Sequence, residues 1–191
     1  MDFFDAAYQG RPAWDIGRPQ KEFVALSRSG EITGSVLDIG CGTGDNAIFL
    51  ADEGHEVLGI DAAPAAIGKA REKAAGHSGV QFLVLDARDI RLLDRQFDTV
   101  TDCGFFHTLS DEERPVYVNN LAAVLPHGGR YFMLCFSELE PGGYGPRRVT
   151  QREIRESFRD GWVINYIRPA VFEANTRAEG SRAWLASITR K

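Results

Sequence analysis

A chain of 191 residues, 43% hydrophobic and 26% charged, is enough for one packed domain and too ordinary for a fibrous repeat or extended disorder. Its 22 basic residues against 27 acidic ones leave a net charge of -5, which repels a phosphate backbone and speaks against a nucleic-acid partner. The longest wholly apolar run, about Tyr131 to Phe136, is far short of a membrane span, and Met1-Asp-Phe-Phe4 has no basic leader, so a cytoplasmic protein without a membrane partner is expected.

Residues 1–34 hold Phe3, Phe4, Tyr8, Trp14 and Phe23 among polar residues with no strand of their own, and read as a helical cap. From residue 35 to 191 the pattern is that of an α/β core, giving a single domain. Strand-like runs at Ser35 to Ile39, Glu56 to Ile60, Val80 to Leu85, Phe97 to Asp102 and Gly129 to Phe136 alternate with helical ones, which predicts a parallel sheet. Asn46 to Glu53, ending at Gly54, and Pro64 to Ala75, with proline in its first turn, are the first crossover helices.

Tyr117, Leu121, Val124 and Leu125 mark a further helix stopped by Pro126 and Gly128-Gly129. Ser110 to Glu113 has capping-box spacing, but Pro115 would then fall inside the helix, so Asp111 to Glu113 is expected to be only a turn. Thr150-Gln-Arg-Glu153 caps a helix carrying Ile154 and Phe158, and Trp162 to Ile167 with Ala183 to Thr189 supply a late strand pair. The cysteines, Cys41, Cys103 and Cys135, have neither disulfide nor zinc spacing and read as reduced packing thiols, with no metal site.

The sharpest signal is Val36-Leu-Asp-Ile-Gly-Cys-Gly-Thr-Gly-Asp45, a strand running into Gly40-x-Gly42-x-Gly44 and then a helix N-terminus. A dinucleotide site wants its third glycine one residue later; Asp45 stands there and would repel a pyrophosphate. Asp38 suits a ligand carrying an ammonium group. Asp61 ends the second strand, where an acid accepts both ribose hydroxyls, and Asp86 ends the third, where it can accept from an exocyclic amine. The alternative for Asp38 or Asp86 is a helix cap.

Motif by motif over residues 36–136, the chain resembles the class I S-adenosylmethionine-dependent methyltransferases. The resemblance implies a Rossmann-like, doubly wound, seven-stranded sheet of order 3-2-1-4-5-7-6 whose last strand is antiparallel. It implies S-adenosylmethionine as cofactor, with Asp38 and Gly40 on the methionine end, Gly42 and Gly44 lining the turn, Asp61 with Ala62 at the ribose, Asp86 with Ala87 at adenine, and Cys103 beside the cofactor.

Substrate meets the methyl group after the fourth strand in this family, where Asp102-Cys-Gly-Phe-Phe-His107 replaces the Asn/Asp-Pro-Pro-aromatic pattern of base methyltransferases. Phe105 and Phe106 can wall an apolar pocket, and His107 can take a proton from a hydroxyl, thiol or ring N–H, with Asp102 orienting it or touching cofactor. The alternative places the Phe pair in the core and His107 on a loop. Tyr8 to Pro19 and Gly145 to Arg148 resemble thiopurine and thiol methyltransferases, and more closely the bacterial heterocyclic toxin methyltransferases that act on hydroxylated quinolones and phenazines. That likeness puts Trp14 over the cofactor and Tyr8, Phe106 and Tyr144 near a small-molecule acceptor; Arg147 or Arg148 is a candidate to meet a substrate anion. A monomer suffices for such chemistry. The competing readings are a thiol or thiopurine S-methyltransferase and a cofactor-binding protein without catalysis.

Overall fold

A computed structural model describes residues 3–143 and 145–191. Two helices open the chain, α1 (Phe3–Ala7) and α2 (Lys21–Arg28), and the core follows as β1 (Val36–Ile39), α3 (Asp45–Asp52), β2 (Val57–Asp61), α4 (Pro64–Lys73) and β3 (Val80–Val84). A short 3-10 helix at Ala87–Leu93 leads to β4 (Thr99–Cys103), and α5 (Glu113–Val124), β5 (Arg130–Phe136), α6 (Gln151–Ser157), β6 (Trp162–Ala174) and β7 (Arg177–Arg190) complete the fold. The sheet runs β3-β2-β1-β4-β5-β7-β6, parallel throughout its first five strands, with β7 antiparallel to both neighbours.

Strand alternation sorts the core into two halves. On β5, Tyr131, Met133 and Cys135 pack with α5 and α6, while Phe132 and Leu134 face α2, α3 and α4. Both faces of the sheet are thus covered by helices, as apolar parallel strands require.

Four details depart from the sequence expectations. Asp111 and Glu112 do form a turn, but Glu113 already opens α5. The Ser110 N–H donates to the Glu113 carboxylate at 2.9 Å and the Glu113 N–H to Ser110 Oγ at 3.2 Å, and the helix continues through Pro115. The proline sits in the first turn, where its missing N–H has no intrahelical partner to lose. The late strand pair is also much longer than its apolar runs suggested, 13 and 14 residues, passing through Pro169 and Gly180. Pro169 is tolerated because β6 is an edge strand paired on one side only. The N-terminal cap is helical only at its two ends; residues 9–20 form an irregular strap. The 3-10 helix at Ala87–Leu93, which Asp86 caps by accepting from the Arg88 N–H at 2.8 Å, had no periodic signature to announce it.

Candidate functional site

β1 lies between β2 and β4, so the chain leaves the sheet in opposite directions on its two sides and opens a crevice at the strand C-termini. The glycine turn fills that point. Gly40, Gly42 and Gly44 have φ of 64°, 55° and 84°, a region L side chains rarely adopt. A Cβ on Gly42 would lie 2.6 Å from the Tyr8 hydroxyl, and one on Gly44 would lie 2.6 Å from the Phe82 ring. Gly44 therefore serves helix packing, and Gly42 serves the close approach of the N-terminal segment to the turn.

Three carboxylates at or just past the C-terminal ends of β1, β2 and β3 are in three different states. Asp38 is 1% exposed; its Oδ1 accepts from Thr101 Oγ1 at 2.8 Å, and its Oδ2 is buried without a partner among the described residues. Burial, and after it the nearby Asp102 and Asp61 carboxylates, push its pKa up to about 7 against the bond from Thr101. Asp61 is largely buried and accepts from the Gly42 N–H at 3.0 Å and the Ala63 N–H at 2.8 Å, so it clamps the turn to the end of β2. Desolvation still leaves its pKa raised. Exposed Ala62 lies between clamp and helix α4. Asp86 is engaged by Arg88, whose Nη2 reaches Oδ2 at 2.6 Å and whose Nε reaches both oxygens. That ion pair holds the Asp86 pKa below the usual range, beside the buried Ala87.

A narrow cleft opens to solvent over the turn, bordered by Gly40, Cys41, Gly42, Asp45, Asn46 and Cys103. The strap forms its roof. Trp14 Nε1 donates to the Tyr8 hydroxyl at 2.8 Å, and both rings line the cleft, so Tyr8 sits above the glycine turn. The strap is tied to the far edge of the sheet: Arg18 pairs with both oxygens of Glu173 at 2.9 and 3.0 Å. Gln20 exchanges two 2.9 Å bonds with the Glu173 backbone. A buried carboxylate oxygen with no partner, next to a glycine turn at a strand switch point, fits a ligand that brings a cationic ammonium and a ribose, as S-adenosylmethionine does.

The methyltransferase domain family matches residues 36–129, from the start of β1 to the residue before β5. A 2-heptyl-1-hydroxyquinolin-4(1H)-one methyltransferase of Mycobacteroides abscessus is 36% identical over 187 residues, covering 92% of this chain and 82% of that protein. The chain belongs to the class I S-adenosylmethionine-dependent methyltransferases. A structure determined for the conversion of a disulfide bond into a thioacetal group during echinomycin biosynthesis superimposes with a TM-score of 0.88 at 34% identity, over 98% of this chain and 91% of the other. The fold is shared with the 1,6-didemethyltoxoflavin-N1-methyltransferase of Burkholderia thailandensis, at a TM-score of 0.76 and 20% identity over 98% and 85% of the two chains.

On the acceptor side of this methyltransferase several sequence expectations are corrected. His107 is 5% exposed, and its Nδ1 accepts from the Phe136 N–H at 3.0 Å. Desolvation, then the Arg148 charge, bring its pKa down to about 3 in the ligand-free fold. Asp102 is held by groups other than His107. Its Oδ1 accepts from the N–H groups of Phe105 and Phe106 at 2.8 and 3.3 Å, and its Oδ2 from the hydroxyls of Tyr117 and Tyr131 at 3.1 and 2.7 Å. It shapes the loop after β4, fully buried, its pKa raised by desolvation to about 6. Phe106 is 0% exposed among Tyr117, Phe158 and the Arg114 guanidinium, a core residue and not a pocket wall.

Arg148 lies over the Phe136 ring and donates to the carbonyls of Glu140, Pro141 and Pro146, so it organises the loop after β5. Tyr144 lies outside the described residues. Cys103 borders the cleft, its thiol pKa pushed up by burial.

Sequence reasoning missed Asp15, Arg18, Gln20, Asn46 and Phe172 on the cleft. Asn46 is the second residue after Gly44 and was findable from that position; its Oδ1 accepts from the Gln20 N–H at 2.9 Å, tying the start of α3 to the strap. Phe172 had no local signal, because only the pairing of β6 with β7 carries it back to the cleft.

The clamp changes what Asp61→Ala should do. The variant should bind S-adenosylmethionine one to two powers of ten more weakly, roughly, and also lose about 1–3 kcal/mol of stability as two backbone donors go unpaired. Calorimetry and thermal melts separate the two effects: unchanged affinity in the folded variant removes the ribose assignment, and an unchanged Tm removes the clamp.

Proposed function

We propose that the enzyme transfers the methyl group to an oxygen or nitrogen of a small, flat heterocycle of the hydroxyquinolone or phenazine kind. One observation carries the reading: an aromatic wall, of which Phe172 faces the cleft, stands beside Cys103. Phe172 lines the cleft and packs edge-on against Phe136 at 5.2 Å, and the His107 ring lies 4.8 Å from Phe136 and 5.8 Å from Phe172. Such a wall stacks a planar ring and keeps water away from it. The hydroxyquinolone acceptor of the Mycobacteroides abscessus relative is of this shape.

Asp38 and Gly40 would hold the methionine ammonium, and Asp61 the ribose. Trp14 and Tyr8 would close over the cofactor. The bound sulfonium supplies a methyl group already activated for displacement. What the chain adds is alignment in a dry cleft, where fixing two reactants is worth about 7–11 kcal/mol of barrier at best. No step calls for a metal.

The test is a mass-spectrometric search for methylated product across hydroxyquinolones, phenols, thiols and thiopurines, each with and without excess chelator. Product on the heterocycles, unaffected by chelation, supports the reading. Product on thiols alone moves it to sulfur, which the likeness to the echinomycin structure favours as the second reading. Cofactor binding without turnover on any acceptor leaves a non-catalytic binder, and loss on chelation that magnesium restores requires a metal.

A further inference from the structure

His107 is the polar group of the aromatic wall, and its hydrogen bonding is unusual for a residue placed where a base would act. Because Nδ1 accepts the Phe136 N–H at 3.0 Å, the ring's proton is on Nε2. Nε2 points toward Gly104: it lies 3.3 Å from where a Cβ on that glycine would be, in the same gap that the Phe172 ring edge borders at 3.0 Å. Gly104, at φ +86°, is closely packed here, and having no side chain it leaves Nε2 uncovered next to Cys103, which lines the cleft. Among the described residues no hydrogen bond engages Nε2.

The charged groups on the elements packed around the ring all have other work. Arg148 stacks over Phe136, Asp102 on β4 is held by two tyrosines and two backbone N–H groups, and Glu173 beyond Phe172 on β6 is paired with Arg18. Among the described residues no carboxylate pairs with the imidazole, and the Arg148 charge opposes its protonation.

We propose that His107 is a fixed, uncharged hydrogen-bond donor that positions the acceptor through one of its oxygens, and that the acceptors served by this site enter already ionised. The inference rests on the heterocycle reading above and adds to it which heterocycles qualify. An acceptor oxyanion supplies the electron pair for the new O–CH3 bond while the C–S pair remains on sulfur. The negative and positive charges cancel, and the proton has been left in bulk water before binding, so no protein base is needed. An N-hydroxyl conjugated across the ring to a 4-oxo group meets both demands: it ionises well below a phenol's ≈ 10, and it offers a second oxygen to the His107 donor. His107 is thus a positioning and specificity residue.

Two substitutions separate the ring's two nitrogens. His107→Asn keeps an acceptor for the Phe136 N–H and gives up the Nε2 donor; His107→Gln keeps a donor near Nε2 and gives up the Nδ1 acceptor. The acceptors are 1-hydroxyquinolin-4(1H)-one, taken from the relative's substrate without its alkyl chain, and a naphthol of similar size. Initial rates are measured between roughly pH 5 and 9, with S-adenosylhomocysteine binding as the check on fold and cofactor site.

In the wild type, kcat/KM should follow the ionisation of each acceptor itself, so that the inflection moves when the acceptor is changed. His107→Asn should raise KM for the hydroxyquinolone about ten- to a hundredfold with a smaller change in kcat, as expected for one lost bond to a charged group. His107→Gln should stay near wild type. An inflection at one pH for both acceptors that vanishes in His107→Gln would make the residue a base and overturn the proposal. So would normal KM in His107→Asn, or equal losses in both variants with product-analogue binding intact. If the wild type methylates neither probe nor any other heterocycle, the reading of the whole site falls with it; if it does and the variants fail these patterns, only the role of His107 falls.

Discussion

Replacing Gly42 with Val should abolish S-adenosylmethionine binding altogether. Two costs act together. At φ 55° the branched residue enters a backbone region that costs L residues roughly 1–2 kcal/mol before any contact is counted. Its Cβ then meets the Tyr8 hydroxyl at 2.6 Å, and that hydroxyl cannot simply swing aside, being held by Trp14 Nε1 at 2.8 Å. Either the turn rotates and pulls its N–H from Asp61, or the strap lifts and the roof of the cleft opens. Gly42→Ala carries the same hydroxyl contact with less bulk, so Tyr8→Phe placed in the Gly42→Ala background should recover part of the lost affinity. Calorimetric titration of the three variants measures this. Full affinity in Gly42→Val would mean that the glycine turn is not the cofactor site, and no recovery in the double variant would mean that backbone strain, not the Tyr8 contact, is the cause.

Asp38→Asn should weaken cofactor binding roughly a hundredfold at pH 8, about 3 kcal/mol, because removing one partner of a buried ion pair leaves the other charge uncompensated. The same change should not destabilise the ligand-free protein, and should stabilise it above neutral pH. The sign follows from the raised pKa. The folded carboxyl holds its proton up to about pH 7, whereas the unfolded one releases it near 3.8, so between those values the native state binds more protons. Stability contributed by this group is therefore lost as pH rises from about 4 to 7, and Asn, which never ionises, escapes that loss. Binding of the ammonium selects the ionised carboxylate, so at pH 6 the wild type should release a proton to solvent on taking up cofactor and at pH 8 release far less. Calorimetry in buffers of different ionisation enthalpy counts those protons. Equal affinity in Asp38→Asn, or no difference in proton release between the two pH values, would separate Asp38 from the methionine end.

Much of this architecture was legible because it is local. The five parallel strands and the glycine turn are spelled out by apolar runs, by positive-φ glycines and by acids at strand ends, and these properties depend on a few adjacent residues. Asp61 was placed for the same reason: an acid at the end of β2 must lie beside the turn after β1, since the two strands are paired in parallel register. The family resemblance supplied the strand order, which no local pattern contains.

What only the tertiary structure decided is the chemical state of the polar residues. From the sequence, His107, Asp102, Phe106 and Arg148 looked like an acceptor site because they cluster after β4 and β5. Three-dimensional packing puts Phe106 in the core, gives Asp102 four donors and spends Arg148 on backbone carbonyls. It also sets the tautomer of His107 through a backbone N–H from another strand. A side chain's proton affinity is fixed by the solvent it has lost and the partners it has gained, and both come from segments far away in the chain. The same holds for the strap: its aromatic residues are visible in the sequence, but the bonds from Arg18 and Gln20 to Glu173 that lay it over the cleft span more than 150 residues and exist only once β6 has reached the edge of the sheet.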